Sequence, residues 1–235
     1  MKDFEKWWES AEVYEGIEEY EYYKMCIRDS LNTLWKNKEI CFSMNRIYCA
    51  FKETEWRPDY YVVQDRKMLE CYWEDILGLD INDKFISDRV LYLFDEKKKK
   101  EALKRVDVNL FHLQGGEAIQ RNIMFSEDFA KKCYEGWTVT YACIQLAVYM
   151  GFSEIYLLGV DCNYIAGSVA QQNYFSKDYV QEDKKGSAPL PYLMMSAYES
   201  AKNYLDSKDR SKVYNATRGG KLEVFERVNF DELFE

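Results

Sequence analysis

Histidine is almost missing from this chain: His112 stands alone among 235 residues. A His-Glu-x-x-His zinc site is therefore impossible, and an imidazole-based mechanism has one residue to draw on. Basic side chains are outnumbered as well, 32 Lys and Arg against 41 Asp and Glu, for a net charge of −9. That balance argues against a nucleic-acid-binding domain, because neutralising phosphates needs a basic face. No apolar run approaches the roughly 18–20 residues of a membrane span. The first residues, Met1-Lys2-Asp3-Phe4-Glu5-Lys6, carry no apolar signal-peptide core. Glycines are few, and neither familiar Gly-rich phosphate loop is present. Cys-x-x-Cys pairs are absent too. The seven cysteines are odd in number and mostly lie in apolar runs such as Ile40-Cys41-Phe42 and Ala142-Cys143-Ile144. They read as reduced core thiols of a cytosolic protein, which sets the expected location as cytoplasmic.

What is present describes a folded chain: 47% hydrophobic and 17% aromatic residues with only three prolines. The length suits one domain with a small appendage. Trp7, Trp8, Tyr14, Ile17, Tyr20 and Tyr23 recur at about helical spacing, so residues 1–29 are expected to form an N-terminal helical appendage to a domain spanning 30–235. From residue 38 the pattern becomes short β-rich runs separated by helical stretches. Expected strands are Ile40–Met44, Tyr60–Val63, Val90–Phe94, Leu110–Leu113, Glu154–Gly159 and Lys212–Thr217. An apolar helix, Trp137–Met150, is broken by Gly151 just before the fifth of these. Such alternation predicts an α/β fold, a doubly wound and mainly parallel sheet. The run Glu96–Lys100 with Glu101, Lys104 and Arg105 reads as a solvated helix face.

In open α/β sheets, ligands bind beyond the carboxyl ends of the strands. Asn45, Gln64, Asp65, Asp161, Asn163 and Asn215 fall at such ends. Asp65 and Asp161 could bind Mg²⁺ beside a nucleotide phosphate, or simply cap the helices that follow. Thr138 and Thr140 open the apolar helix, where hydroxyls and free N–H groups suit an anion and equally suit N-capping. The polar, aromatic stretch from Asn163 and Tyr164 through Asn173, Tyr174 and Tyr179 reads as a lid over a substrate, or as a surface loop with incidental aromatics. His112 is expected to pack in or beside a strand and not to act as the base.

The stretch Trp137–Phe152 leading into Glu154-Ile155-Tyr156-Leu157-Leu158-Gly159-Val160-Asp161 closely resembles the 6-hydroxymethylpterin diphosphokinase MptE-like family, and so does Val213–Val228. Weaker agreement at Ser43–Ile47 and Pro58–Asp65 extends the resemblance over roughly residues 30 to 234. The resemblance implies a Rossmann-like fold. Through the same helix–Gly-aromatic–strand–Gly-x-Asp block, the chain is also similar to bacterial sialyltransferases that use a CMP-sugar. Both imply a transferase attacking a phosphate-activated donor, a CMP-sugar or ATP, with Mg²⁺ as an accompanying ion and a glycan or pterin acceptor. A glycosyltransferase-like role in surface-glycan synthesis is the leading expectation. A Mg²⁺-dependent pyrophosphokinase and a catalytically degenerate binding protein are the alternatives.

Carried over by position, the resemblance implies that Asn45 and Asp65 face the nucleotide, Thr138 and Thr140 lie near its phosphates, and Asp161, Asn163 and Tyr164 head the acceptor loop. Three departures stand out. Members commonly show Asp-His-Asn where this chain has Asp161-Cys162-Asn163, and a His-Phe pair where it has Tyr174-Phe175. With both histidines replaced, Asp161 becomes the candidate base or metal ligand, and Tyr164, Tyr174 or Tyr179 would position the leaving phosphate. The family's glycine-rich Gly-Asn-Gly-Pro-Ser-Leu turn is reduced here to Ser30-Leu31-Asn32, so the backbone approaches phosphates less closely. The preceding string, Met25-Cys26-Ile27-Arg28-Asp29-Ser30, resembles a translated sequencing adapter.

Overall fold

The structure, a computed structural model, describes residues 19–115, 123–162, 175–179 and 191–235. Helix α1 (Glu19–Asn37) leads into β1 (Phe42–Met44) and β2 (Tyr60–Val63), then α2 (Arg66–Gly78) and β3 (Asp83–Ser87). The short α3 (Val90–Leu93) and α4 (Glu96–Lys104) precede β4 (Val108–Phe111), β5 (Leu113–Gln114) and β6 (Cys133–Tyr134). Helix α5 (Val139–Met150), β7 (Glu154–Leu157), α6 (Pro191–Lys208), β8 (Lys212–Asn215) and β9 (Glu226–Arg227) complete the order. Every described strand pair is parallel, in the orders β1-β2-β3-β4, β5-β6 and β7-β8-β9. This is the mainly parallel, Rossmann-like α/β architecture that the alternation predicts.

Strand β2 shows why the layers form. Tyr61, Val62 and Val63 are all fully buried, as a parallel strand covered on both faces must be. Tyr61 and Val63 point to one side, where Leu69, Tyr72, Trp73, Ile76 and Leu77 of α2 meet them. Val62 points to the other, against Val139, Ala142, Cys143 and Leu146 of α5. A second stripe of α5, Tyr141, Ile144 and Val148, packs with Leu157 of β7, Val213 of β8 and the α6 residues Ala201 and Leu205. One helix thus serves two sheets, and all its residues from Val139 to Val148 are buried. It stops at Gly151, whose φ of +91° lets its N–H reach the carbonyls of Ala147 and Val148.

A glutamine inside that apolar helix is fully satisfied. Gln145 Oε1 accepts from the N–H groups of Ser126 (3.0 Å) and Tyr134 (3.1 Å), while Nε2 donates to the carbonyl of Tyr134 (2.9 Å). It ties β6 and its approach to α5.

The sequence reading needs correction at the third strand. Val90–Phe94 is not a strand; it holds the helical turn α3, with Leu91 and Tyr92 exposed. The strand is Asp83–Ser87, whose second residue, Lys84, is fully buried and breaks the apolar signature. The run expected at Leu110–Leu113 is found, divided at His112 into β4 and β5. The charged run forms α4, N-capped by Asp95, whose carboxylate accepts from the Lys98 N–H at 2.9 Å. Most of the expected N-terminal helix lies outside the described residues. Helix α1 runs unbroken across the expected boundary at residue 30.

The six cysteines whose side chains are described are free. Burial pushes the Cys41 thiol up to about 11 and holds that of Cys133 well above its usual range, so these thiols are inert.

Candidate functional site

The register Met44–Val62, Val63–Ile86 and Ser87–Phe111 brings the carboxyl ends of β1 to β4 side by side. Adjacent strands lie roughly 4.8 Å apart, so Asn45, Gln64, Asp88 and His112 form a row along one edge. Asn45 takes a left-handed φ of +50°, and its carbonyl accepts from the Tyr61 hydroxyl at 2.5 Å. Asn tolerates this region better than most residues because its short polar side chain can bond locally.

Three buried polar atoms on these strand ends have no hydrogen-bond partner among the described residues: Ser43 Oγ, Asn45 Oδ1 and Gln64 Oε1. The fully buried hydroxyl of Tyr198 lies close by, within hydrogen-bonding influence of Thr138 and Thr140 and beside Cys162. Burial holds that phenol well above its usual range, so it is a neutral donor. Each unpaired buried group costs about 1–3 kcal/mol, and such groups call for an explanation such as a ligand.

Thr138 caps α5, its hydroxyl accepting from the Thr140 N–H at 3.3 Å. Thr140 in turn donates to Met44 Sδ at 3.4 Å, which sets the amino end of α5 beside the end of β1. Asp65 caps α2, with Oδ1 accepting from the Met68 N–H at 2.9 Å. The capping reading therefore holds for Thr138 and Asp65, whatever else they bind.

The end of β7 meets the loop after β8. The Asp161 carbonyl accepts from the Lys221 N–H at 2.6 Å, and Gly220 passes so near that a Cβ there would stand 2.6 Å from Asp161 Cα. The stretches 154–161 and 213–228 thus meet at this point. Asn215 is committed to this loop, Nδ2 donating to the Leu222 carbonyl (2.8 Å) and Oδ1 accepting from the Thr217 N–H (3.0 Å). Asp65 belongs to the four-stranded sheet and Asp161 follows a strand of the three-stranded one. Among the described residues, no group of three or more His, Cys, Asp or Glu gathers to hold a metal ion.

Ser30 and Asn32 lie inside α1, not at a turn. The Ser30 N–H belongs to the helix ladder, its hydroxyl accepts from Arg218, and Asn32 Oδ1 accepts from the Thr54 hydroxyl at 2.6 Å. Asn163, Tyr164 and Tyr174 lie outside the described residues. Tyr179 is buried at the end of a turn (Lys177–Tyr179) held by Arg46, which donates to the carbonyls of Asp178 (2.5 Å) and Tyr179. The same guanidinium lies 4.1 Å from the centre of the Tyr72 ring.

Three charged residues at this edge escaped the sequence reading. Asp88 directly follows β3; its Oδ2 lies 2.6 Å from His112 Nδ1 and its Oδ1 accepts from the Leu113 N–H at 3.1 Å. Arg89 donates to the Gln64 carbonyl at 3.2 Å and to Glu135 Oε2 at 2.9 Å. The strand-end rule would have found Asp88 had β3 been placed at 83–87.

A mainly parallel α/β fold with amides, hydroxyls and carboxylates gathered at its carboxyl edge defines a Rossmann-like protein. The chain belongs to the 6-hydroxymethylpterin diphosphokinase MptE-like family, whose profile matches residues 27–167. The match runs from α1 to just beyond Asp161 and leaves β8 and β9 outside. No curated protein and no solved structure matches the chain. Among the described residues, no helix is long and apolar enough to cross a membrane.

Proposed function

We propose that this protein is a transferase that lays a nucleotide-activated donor along the carboxyl edge of its strands and passes the activated group to a hydroxyl acceptor. The observation that carries the reading is the group of buried polar atoms Ser43 Oγ, Asn45 Oδ1 and Gln64 Oε1, which have no partner among the described residues, with the buried Tyr198 hydroxyl beside Thr138 and Thr140. Neutral amides and hydroxyls of this kind suit a nucleobase and ribose, and the amino end of α5 with Thr138 and Thr140 suits the phosphates. Asn45 and Asp65 would face the nucleotide, with Asn163 and Tyr164 heading the acceptor loop. Tyr174 and Tyr179 would steady the leaving phosphate, and Ser30 and Asn32 would line the outer rim.

A nucleotide sugar, such as a CMP-sugar, is the donor this reading favours, in a glycosyltransferase-like step of surface-glycan synthesis. The family membership favours a second reading, an ATP-dependent diphosphokinase. In that case Asp65 and Asp161 would share the work of holding Mg²⁺, which neutralises charge on the transferred phosphoryl group. Calorimetry separates the two. Binding of CMP without Mg²⁺ supports the first, and ATP binding that needs Mg²⁺ supports the second. Failure of both nucleotides to bind would leave a non-catalytic family member.

A further inference from the structure

We infer that His112, oriented by Asp88, is the group that removes the proton from the acceptor hydroxyl. The inference rests on the transferase reading and adds to it a residue that the sequence had set aside. His112 lies where one extended segment changes partners, pairing with β3 up to Phe111 and with β6 from Leu113. Its carbonyl accepts from the Cys133 N–H at 2.8 Å, which fixes the backbone at the break.

Asp88 is anchored around the same point. Its N–H donates to the Phe111 carbonyl at 2.8 Å, Oδ1 accepts from Leu113, and Oδ2 meets His112 Nδ1. A carboxylate has no proton to give, so Nδ1 is the donor, and in the neutral ring Nε2 is the nitrogen with the lone pair. The ring is 58% exposed, so that lone pair can be reached by a substrate. Its place is on the carboxyl edge of the sheet, two strands from β2, whose Gln64 Oε1 has no partner among the described residues. Arg89, next to Asp88, and Glu135, next to β6, pair with each other at 2.9 Å.

The chemistry balances. The acceptor oxygen forms a bond to the transferred group as its proton moves to Nε2. The bond to the nucleotide phosphate breaks, and its electron pair leaves with that phosphate. The imidazolium, stabilised by Asp88, then returns the proton to water. A purely structural role for Asp88, bridging the strand break, would need no imidazole at all.

The chain's single histidine makes the test specific. Protein labelled with ¹⁵N only at histidine gives one imidazole signal set, followed while CMP or ATP with Mg²⁺ is added and binding is measured by calorimetry. The expected result is an Nδ1–H tautomer in the free protein and movement of the ring signals as nucleotide saturates. His112→Gln should leave nucleotide affinity within about twofold and reduce release of CMP from CMP-N-acetylneuraminate, or of AMP from ATP, by about 10²–10⁴-fold. Asp88→Asn should redistribute the tautomers and lower turnover less. Nucleotide binding with unmoved ring signals, or full turnover by His112→Gln, overturns the inference and leaves the transferase reading standing. Absence of nucleotide binding removes both.

Discussion

Lys84, with no solvent access, holds its ammonium 2.6 Å from Asp107 Oδ2 at the amino ends of β3 and β4. The lysine also donates to the Ile81 carbonyl at 2.9 Å, and Arg105 approaches the same carboxylate at 2.7 Å. Breaking such a pair from one side leaves an uncompensated buried charge. Asp107→Asn should therefore destabilise by about 3–5 kcal/mol, and Lys84→Met by less, because Asp107 keeps Arg105. Urea denaturation of both variants measures the contrast, and equal losses would contradict it.

The same carboxylate makes stability depend on pH. The Arg105 guanidinium first, and the Lys84 ammonium after it, hold Asp107 well below the usual carboxylate range against the opposing effect of burial. A depressed folded value means that the unfolded chain takes up protons first. The contribution is complete above the unfolded value near 4 and declines as pH falls toward the lower folded value. Denaturation midpoints of the wild type should drop more steeply below about pH 4 than those of Asp107→Asn.

Gln145 should be the most sensitive polar residue of the core. Gln145→Leu matches it roughly in size but leaves the N–H groups of Ser126 and Tyr134 without their acceptor. At about 1–3 kcal/mol for each of the two stranded groups, the loss should be about 2–6 kcal/mol. A loss below 1 kcal/mol in thermal or urea unfolding would show that these donors find other partners.

Arg46 and Lys52 both reach the turn that ends at Tyr179, with unequal expected effects. Arg46 is buried and donates to two backbone carbonyls, whereas the Lys52–Asp178 pair is more than half exposed at both ends. Arg46→Met should raise hydrogen exchange at the Tyr179 amide at least tenfold. Lys52→Ala should leave it unchanged, because exposed pairs contribute little. Equal protection in the two variants would refute the distinction.

Gly220 should tolerate no side chain. Its φ is +83°, and a Cβ would press on Asp161 Cα and its carbonyl at 2.6 Å. Gly220→Ala should shift the Asp161 backbone and weaken nucleotide binding more than Gly78→Ala, where the space around a Cβ is open. Comparable affinities in the two variants would place Asp161 outside the site.

The helix α5, Gly151 and β7 were legible in sequence because a uniformly apolar helix, a left-handed stop and an extended run follow one another without ambiguity. Strand β3 was not, because its second residue is a lysine whose burial is intelligible only through Asp107, more than twenty positions away. That misplacement also hid Asp88, since strand-end reasoning is only as good as the strand. Asn45, Gln64 and Asp65 were found because β1 and β2 end cleanly at polar residues. Ser30 and Asn32 were read against a glycine turn, yet nothing from Glu19 to Asn37 is glycine or proline, so the helix passes through them unchecked.

The double commitment of α5 has a consequence for cooperativity. The four-stranded and three-stranded sheets share no backbone hydrogen bonds among the described pairs, yet each needs opposite stripes of one helix to stay dry. Neither can detach from α5 without wetting a face of that helix. Two separately bonded sheets are thereby made to melt as a single thermodynamic unit.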